Sequence, residues 1–213
     1  MSDGRQVEVA PQRLAGWLDR FRERHGDVAT RRSDGVLRVT APDGATAAFL
    51  PPWPFEGADL AGLVEHVLRP RTVALVLVRR GGFAMGVAHG DTLVASKVGT
   101  RHVQGRTKAG GWSQQRYARR RAAQADTAFA AAADAAVRVL LPRASDLDGL
   151  VTGGDRAAAS SVLSDPRLRA LANLPQAPFL AVPDPRRRVL EEAVRRSRAV
   201  RIEVFDPDLD GRP

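Results

Sequence analysis

The sequence predicts an α/β protein built on a mixed sheet, preceded by a small α+β appendage. Three observations predict it. Residues 72–98 alternate apolar runs with tight turn signals, the pattern of a three-stranded antiparallel meander. Residues 113–141 contain no Gly or Pro and are rich in Ala and Arg, the pattern of one long helix. After Pro142, short apolar runs alternate with helical ones, which implies parallel crossovers onto the same sheet.

The elements follow in order. In residues 11–25, Leu14, Trp17, Leu18 and Phe21 recur at helical spacing, and Gly26 is a stop signal. Residues 36–40 and 45–50 read as two strands joined by the turn Ala41-Pro42-Asp43-Gly44. Pro51, Pro52 and Pro54 break the pattern, and residues 60–68 form a short helix closed by Pro70. Residues 1–70 are therefore expected to be a helix-hairpin-helix appendage. Strands are expected at 72–78, 83–89 and 92–98, with turns at Arg79-Arg80-Gly81-Gly82 and Gly90-Asp91. A polar loop spans 99–111, and Ser113 is placed to cap the long helix. A strand at 147–151, a helix at 155–162, a strand at 179–182, a helix at 185–198 and a last strand at 200–205 complete a second domain, 71–206. Residues 207–213 are expected to fray. Antiparallel hairpin strands followed by parallel crossovers are the order of a ribonuclease-H-like sheet. Such an order fixes no activity by itself.

Composition limits the function classes. The chain has 213 residues, 44% of them hydrophobic, enough for a core. It has no cysteine, which excludes disulfides, thiolate metal sites and cysteine nucleophiles. His25, His66, His89 and His102 have no ligand-like spacing, so neither metal nor cofactor is expected. Residues 1–10 are polar, unlike a signal peptide, and no apolar run reaches the roughly 18 residues of a membrane span. A cytoplasmic protein with no membrane partner is expected. Scattered carboxylates do not suit metal-dependent nuclease chemistry.

The net charge is +9, which favours an anionic partner. Its position is more informative than its size. Residues 92–125 contain no Asp or Glu but carry Lys97, Arg101, Arg106, Lys108, Arg116, Arg119, Arg120 and Arg121. A GC-rich genome would scatter arginines; it would not also empty one segment of acids. On a helix, Arg116, Arg119 and Arg120 share a face, with Arg121 about 100° further round. A row of guanidiniums suits successive phosphates, as forked donors that give affinity and register.

The junction of loop and helix reads Gly105-Arg106-Thr107-Lys108-Ala109-Gly110-Gly111-Trp112-Ser113-Gln114-Gln115. Gly110 and Gly111 permit close approach of backbone to a ligand. The amides of a capped first turn suit an anion or a developing oxyanion. Trp112 suits stacking on a base or ribose, or pinning of the loop. A glutamine does not titrate near neutral pH, so Gln114 would act by position: by orienting a water or offering its N–H. That mode suits a reactive ester held by a large partner. Gly153-Gly154-Asp155, after a strand and before a helix, reads as an ordinary turn.

The run Gln104 to Arg121, with Gly110-Gly111-Trp112-Ser113-Gln114-Gln115-Arg116-Tyr117-Ala118-Arg119 at its centre, resembles the catalytic loop and helix of class 1 eukaryotic and archaeal peptide chain release factors. It is more similar still to the actinobacterial members of the Vms-type release-factor-like family, whose tip follows Gly-x-x-Gln; Gly111-Trp112-Ser113-Gln114 fits that form. The resemblance implies a ribosome-associated peptidyl-tRNA hydrolase that frees nascent chains on stalled large subunits in translation quality control. It assigns catalysis to Gln114 with Gly110 and Gly111, and RNA contacts to Lys97, Arg101, Arg106, Lys108, Trp112, Gln115, Arg116, Arg119, Arg120 and Arg121. The partners it implies are ribosomal RNA of the large subunit and peptidyl-tRNA. The pattern departs at one place. Aligned on Arg116-Tyr117-Ala118-Arg119, Trp112 stands where those factors have their glutamine, and Gln114 lies two residues later. Gln114 completes Gly-x-x-Gln; Gln115 is the alternative. A non-catalytic RNA or ribosome binder is the second reading, and a structure-specific nuclease the third.

Overall fold

The structure is a computed structural model that describes residues 5–79, 82–100, 127 and 129–207. The chain forms two compact units. One combines Met1–Pro70 with Arg195–Pro213, and the other is Arg71–Val194. The second is thus inserted into the first.

In the first unit, β1 (Arg5–Val9) precedes a single 3-10 turn at Pro11–Arg13 and helix α1 (Leu14–His25). Leu14, Leu18, Phe21 and His25 bury one face of α1, and Gly26, at φ 85°, stops it. Strands β2 (Ala29–Ser33) and β3 (Val36–Thr40) form a hairpin over Asp34 (φ 52°) and Gly35 (φ 76°). Two successive left-handed residues give the turn whose twist matches paired strands. Strand β4 (Thr46–Leu50) and helix α2 (Leu60–Leu68) follow. Asp59 caps α2 by accepting from the Gly62 amide at 2.7 Å. Leu37, Val39, Ala47 and Phe49 point from the sheet into a core shared with Leu14, Leu18, Phe21, Leu60 and Leu63.

The last strand corrects the expected domain organisation. The strand at 200–205 exists, as β9 (Val200–Phe205), but it does not join the 71–206 domain. It lies between β1 and β4 in a five-stranded sheet ordered β1-β9-β4-β3-β2. Val200, Ile202 and Val204 alternate into that unit's core. The N-terminal region is therefore more than a helix-hairpin-helix; it supplies four strands of a sheet, on both sides of an interior strand that comes from after the insert.

In the second unit, β5 (Thr72–Arg79), β6 (Gly82–His89) and β7 (Thr92–Thr100) form the antiparallel meander. β8 (Gly149–Gly154) pairs parallel with β5, giving the order β7-β6-β5-β8. The α/β class with a mixed sheet is thus present. All six residues of β5 from Val73 to Val78 are buried, which explains its unbroken apolar run. Residues 129–140 form helix α3; the earlier part of the expected long helix, 113–126, lies outside the described residues. Ala132, Ala133, Ala135, Ala136 and Leu140 pack on Ala74, Val76, Met85 and Val87, beside helix α4 (Arg156–Leu163). Small alanines let the helix backbone approach the sheet closely. A 3-10 stretch at Leu141–Asp146 follows Leu140, where Pro142 removes a donor.

The strand expected at 179–182 is reduced to isolated bridges. Leu180 bridges Gly153 and Gln176 bridges Leu150, both parallel. Pro175, Pro178 and Pro183 bracket these residues and deny a ladder its donors. Helix α5 (Arg187–Arg196) follows, its last two residues counted with the first unit.

Candidate nucleic-acid interface

The whole net charge of the chain resides in the second unit. The first unit carries fourteen basic and fourteen acidic residues; the second carries nineteen basic and ten acidic. Within it, the acid-free stretch 92–125 accounts for eight of the basic residues. The sheet shows where that stretch begins. Among the described residues β7 is an edge strand, paired only with β6, and it leads directly into residue 101. Lys97 lies on β7 opposite Met85 and is exposed.

Of the expected site residues, Lys97 is the one inside the described part. Arg101, Arg106, Lys108, Gly110, Gly111, Trp112, Gln114, Gln115, Arg116, Arg119, Arg120 and Arg121 lie outside the described residues, as does His102.

The turn at Gly153-Gly154-Asp155 is fully committed to structure. The Gly154 amide donates to the Leu180 carbonyl at 3.0 Å, and the Asp155 amide to the Val78 carbonyl at 2.8 Å. The Asp155 carboxylate accepts from the Ala158 amide at 2.9 Å. Its donors are thus already taken, as an ordinary strand–helix turn requires. His89 Nδ1 lies 3.0 Å from Thr72 Oγ1. In the first unit His25 is buried, with Nδ1 2.7 Å from Asp43 Oδ2. The Ala45 amide and then His25 hold the Asp43 carboxyl below its ordinary range. Among the described residues no group of three or more His, Cys, Asp or Glu is arranged to hold a metal ion, and no helix is long and apolar enough to cross a membrane.

Sequence reasoning missed one neighbour of β7. Arg187, at the start of α5, donates from Nη1 to Ser96 Oγ at 3.2 Å. It also donates from Nε to Glu191 at 2.8 Å. Glu191 thus pairs backward along the helix, with Arg187 one turn earlier. The run Arg186-Arg187-Arg188 after Pro185 marks a basic helix start, but it does not name Ser96 as the neighbour.

An α/β domain whose edge strand runs into a basic, acid-free segment is the class these features define. The model of one family, the Actinobacteria/chloroflexi VLRF1 release factor, matches residues 71–203. The chain belongs to that family. The match runs from the first residue of the inserted unit into β9. Two solved structures are similar. The archaeal translation termination factor aRF1 aligns over 90% of this chain and 63% of its own, at 16% identity and a TM-score of 0.44. An archaeal protein aligns over 73% of this chain and 48% of its own, at 18% identity and a TM-score of 0.39. The chain thus spans less than two thirds of either. No curated protein matches it.

Proposed function

We propose that the protein is a ribosome-associated peptidyl-tRNA hydrolase that frees nascent chains from tRNA on stalled large subunits, in translation quality control. One observation carries the reading: a chain of the VLRF1 release factor family concentrates its net charge in the acid-free segment that follows β7. The strand order β7-β6-β5-β8 supports a ribonuclease-H-like reading of the sheet.

In this reading Arg116, Arg119 and Arg120, with Lys97, Arg101, Arg106, Lys108 and Arg121, hold phosphates of the tRNA acceptor stem or of ribosomal RNA. Trp112 and Gln115 lie beside the same RNA. Gly110 and Gly111 let the backbone approach the ester. Gln114 positions the attacking water, and the ribosome supplies the remainder of the site. No metal or cofactor enters the mechanism, and the protein works in the cytoplasm.

The departure at Trp112 favours keeping a second reading, a ribosome or RNA binder without catalysis. One experiment separates them. Purified protein is added to stalled large subunits carrying labelled peptidyl-tRNA. Release of peptide with intact tRNA, lost in Gln114→Ala by about a hundredfold or more and kept in Gln115→Ala, is the expected result. Binding without release establishes the second reading. Cut tRNA sinks both and makes the protein a nuclease.

A further inference from the structure

Two glycines meet at the end of the meander where the acid-free segment leaves the sheet. Gly82 of β6 pairs with Thr100 of β7, and Phe83 pairs with Gly99. A Cβ on Gly82 would run into the Gly99 carbonyl oxygen and lie 3.2 Å from Thr100 Cα. A Cβ on Gly99 would run into Phe83 Cζ and lie 2.5 Å from Cε1. The Phe83 ring therefore lies across the backbone of β7, two residues before position 101. Glycine is a poor strand former, and inside a strand it marks a place where another group comes close. Here that group is a side chain.

The same ring reaches the other leg of the segment. Phe83 packs, half-buried, on the core that Ala132, Ala133 and Ala136 of α3 share with Val78 and Met85. Phe129 of α3 packs on that core too. Residues 101–126 join β7 to α3 in the chain. Phe83 thus lies over the strand that leads into the segment and on the core beneath the helix that leads out of it.

We infer that Phe83 is a positioning residue: its ring, seated on Gly99, sets the spacing of β7 and α3, and through them the reach of the tip from Gly111 to Gln114. This rests on the proposed hydrolase function and adds to it a residue outside the acid-free segment. The mechanism is geometric. A glutamine that acts by position loses turnover when its base shifts, and a displacement of about 1 Å costs on the order of a hundredfold. Phosphate binding by the arginines depends on charge more than on alignment, so it tolerates the same shift.

The test is peptide release by the full chain from stalled large subunits carrying labelled peptidyl-tRNA, at a series of subunit concentrations that separates kcat from KM. Wild type is compared with Phe83→Ala, Phe83→Tyr, Gly99→Ala and Phe83→Ala/Gly99→Ala, each with a thermal melt. In Phe83→Ala, kcat should fall by about ten- to a hundredfold while KM stays within about twofold. Phe83→Tyr keeps the ring and should recover most of the turnover. Gly99→Ala, whose Cβ displaces the ring, should lose turnover as well. The double variant should lose no more than Phe83→Ala, since without the ring the methyl displaces nothing. If Phe83→Ala melts below the assay temperature, Phe83→Leu, which fills the core without a flat ring, takes its place. Unchanged kcat in Phe83→Ala and Gly99→Ala overturns this inference and leaves the hydrolase reading standing. Losses that add in the double variant, or a KM that rises as far as kcat falls, also overturn it, because the ring then only holds the fold. No release by wild type overturns the proposed function and this inference with it.

Discussion

At Asp165 a single carboxylate accepts three hydrogen bonds from one residue: the Arg167 amide and Nε, each at 2.9 Å, and Nη2 at 2.7 Å. Arg167 Nη2 also reaches Asp134 of α3, at 2.9 Å. The guanidinium first, and the amide second, hold the Asp165 carboxyl down to about 2. The sign follows from proton linkage. A depressed native value gives stability that is fully present above the ordinary value of 3.8 and lost as pH falls through about 2. Asp165→Asn keeps the cap geometry and removes the charge. Thermal melts should show wild type above the variant near neutral pH, with the gap closing between about pH 4 and about pH 2. A gap that does not change with pH would assign the effect to the cap alone. The segment just behind this cap buries Leu168 and Leu171, so the charge network locks a core turn.

Among the elements, the β8–α4 turn is the least tolerant of change. Gly154 has φ 98°, and a Cβ there would run into the Val78 carbonyl oxygen. That oxygen cannot rotate away, because Val78 is a paired strand residue. Gly154→Ala should cost roughly 2–4 kcal/mol. Asp155→Ala, which loses only the cap, should cost about 1 kcal/mol. Calorimetric unfolding of the two variants should show that order, and a reversed order would remove the steric argument. The sequence displayed this turn well, because Gly-Gly-Asp is a local signal. It displayed α2 equally well, where Asp59 precedes an apolar helical pattern. It hid β2, whose residues Ala-Thr-Arg-Arg-Ser have no apolar face to read, since an edge strand on an open sheet needs none. It overstated residues 179–182, whose apolar run sits among prolines. As for the candidate site, the charge pattern was plain in the sequence, and so was the glycine–glutamine tip. The contact of Arg187 with Ser96 joins residues far apart in the chain, so no local pattern could reveal it.

For the whole molecule, the insertion of one unit into another makes two separate cores. Ile202 of β9 is fully buried in the first, among Leu37, Val39 and Phe49. Ile202→Ala should cost roughly 2–5 kcal/mol and act on that unit. Hydrogen exchange should accelerate at the amides of β1, β3 and β4 and change little in β5, β6 and β8. Uniform acceleration in both units would mean that they unfold as one. The place of β9 was illegible in the sequence for a physical reason. Alternation of Val200, Ile202 and Val204 specifies a strand with one buried face, but it does not name the sheet.

That strand also sets an order of events during the protein's own synthesis. β1, β3 and β4 leave the ribosome early, yet β1 and β4 have no direct pairing with each other; each pairs with β9. The chain must be translated through the entire inserted unit before the interior strand arrives. Residues 71–194 carry their own sheet and core and can close while the first sheet still lacks its middle. Until then β4 presents an unpaired edge, the kind of surface that nascent-chain chaperones cover. A chain of a release factor family is thus itself one whose first third waits on β9.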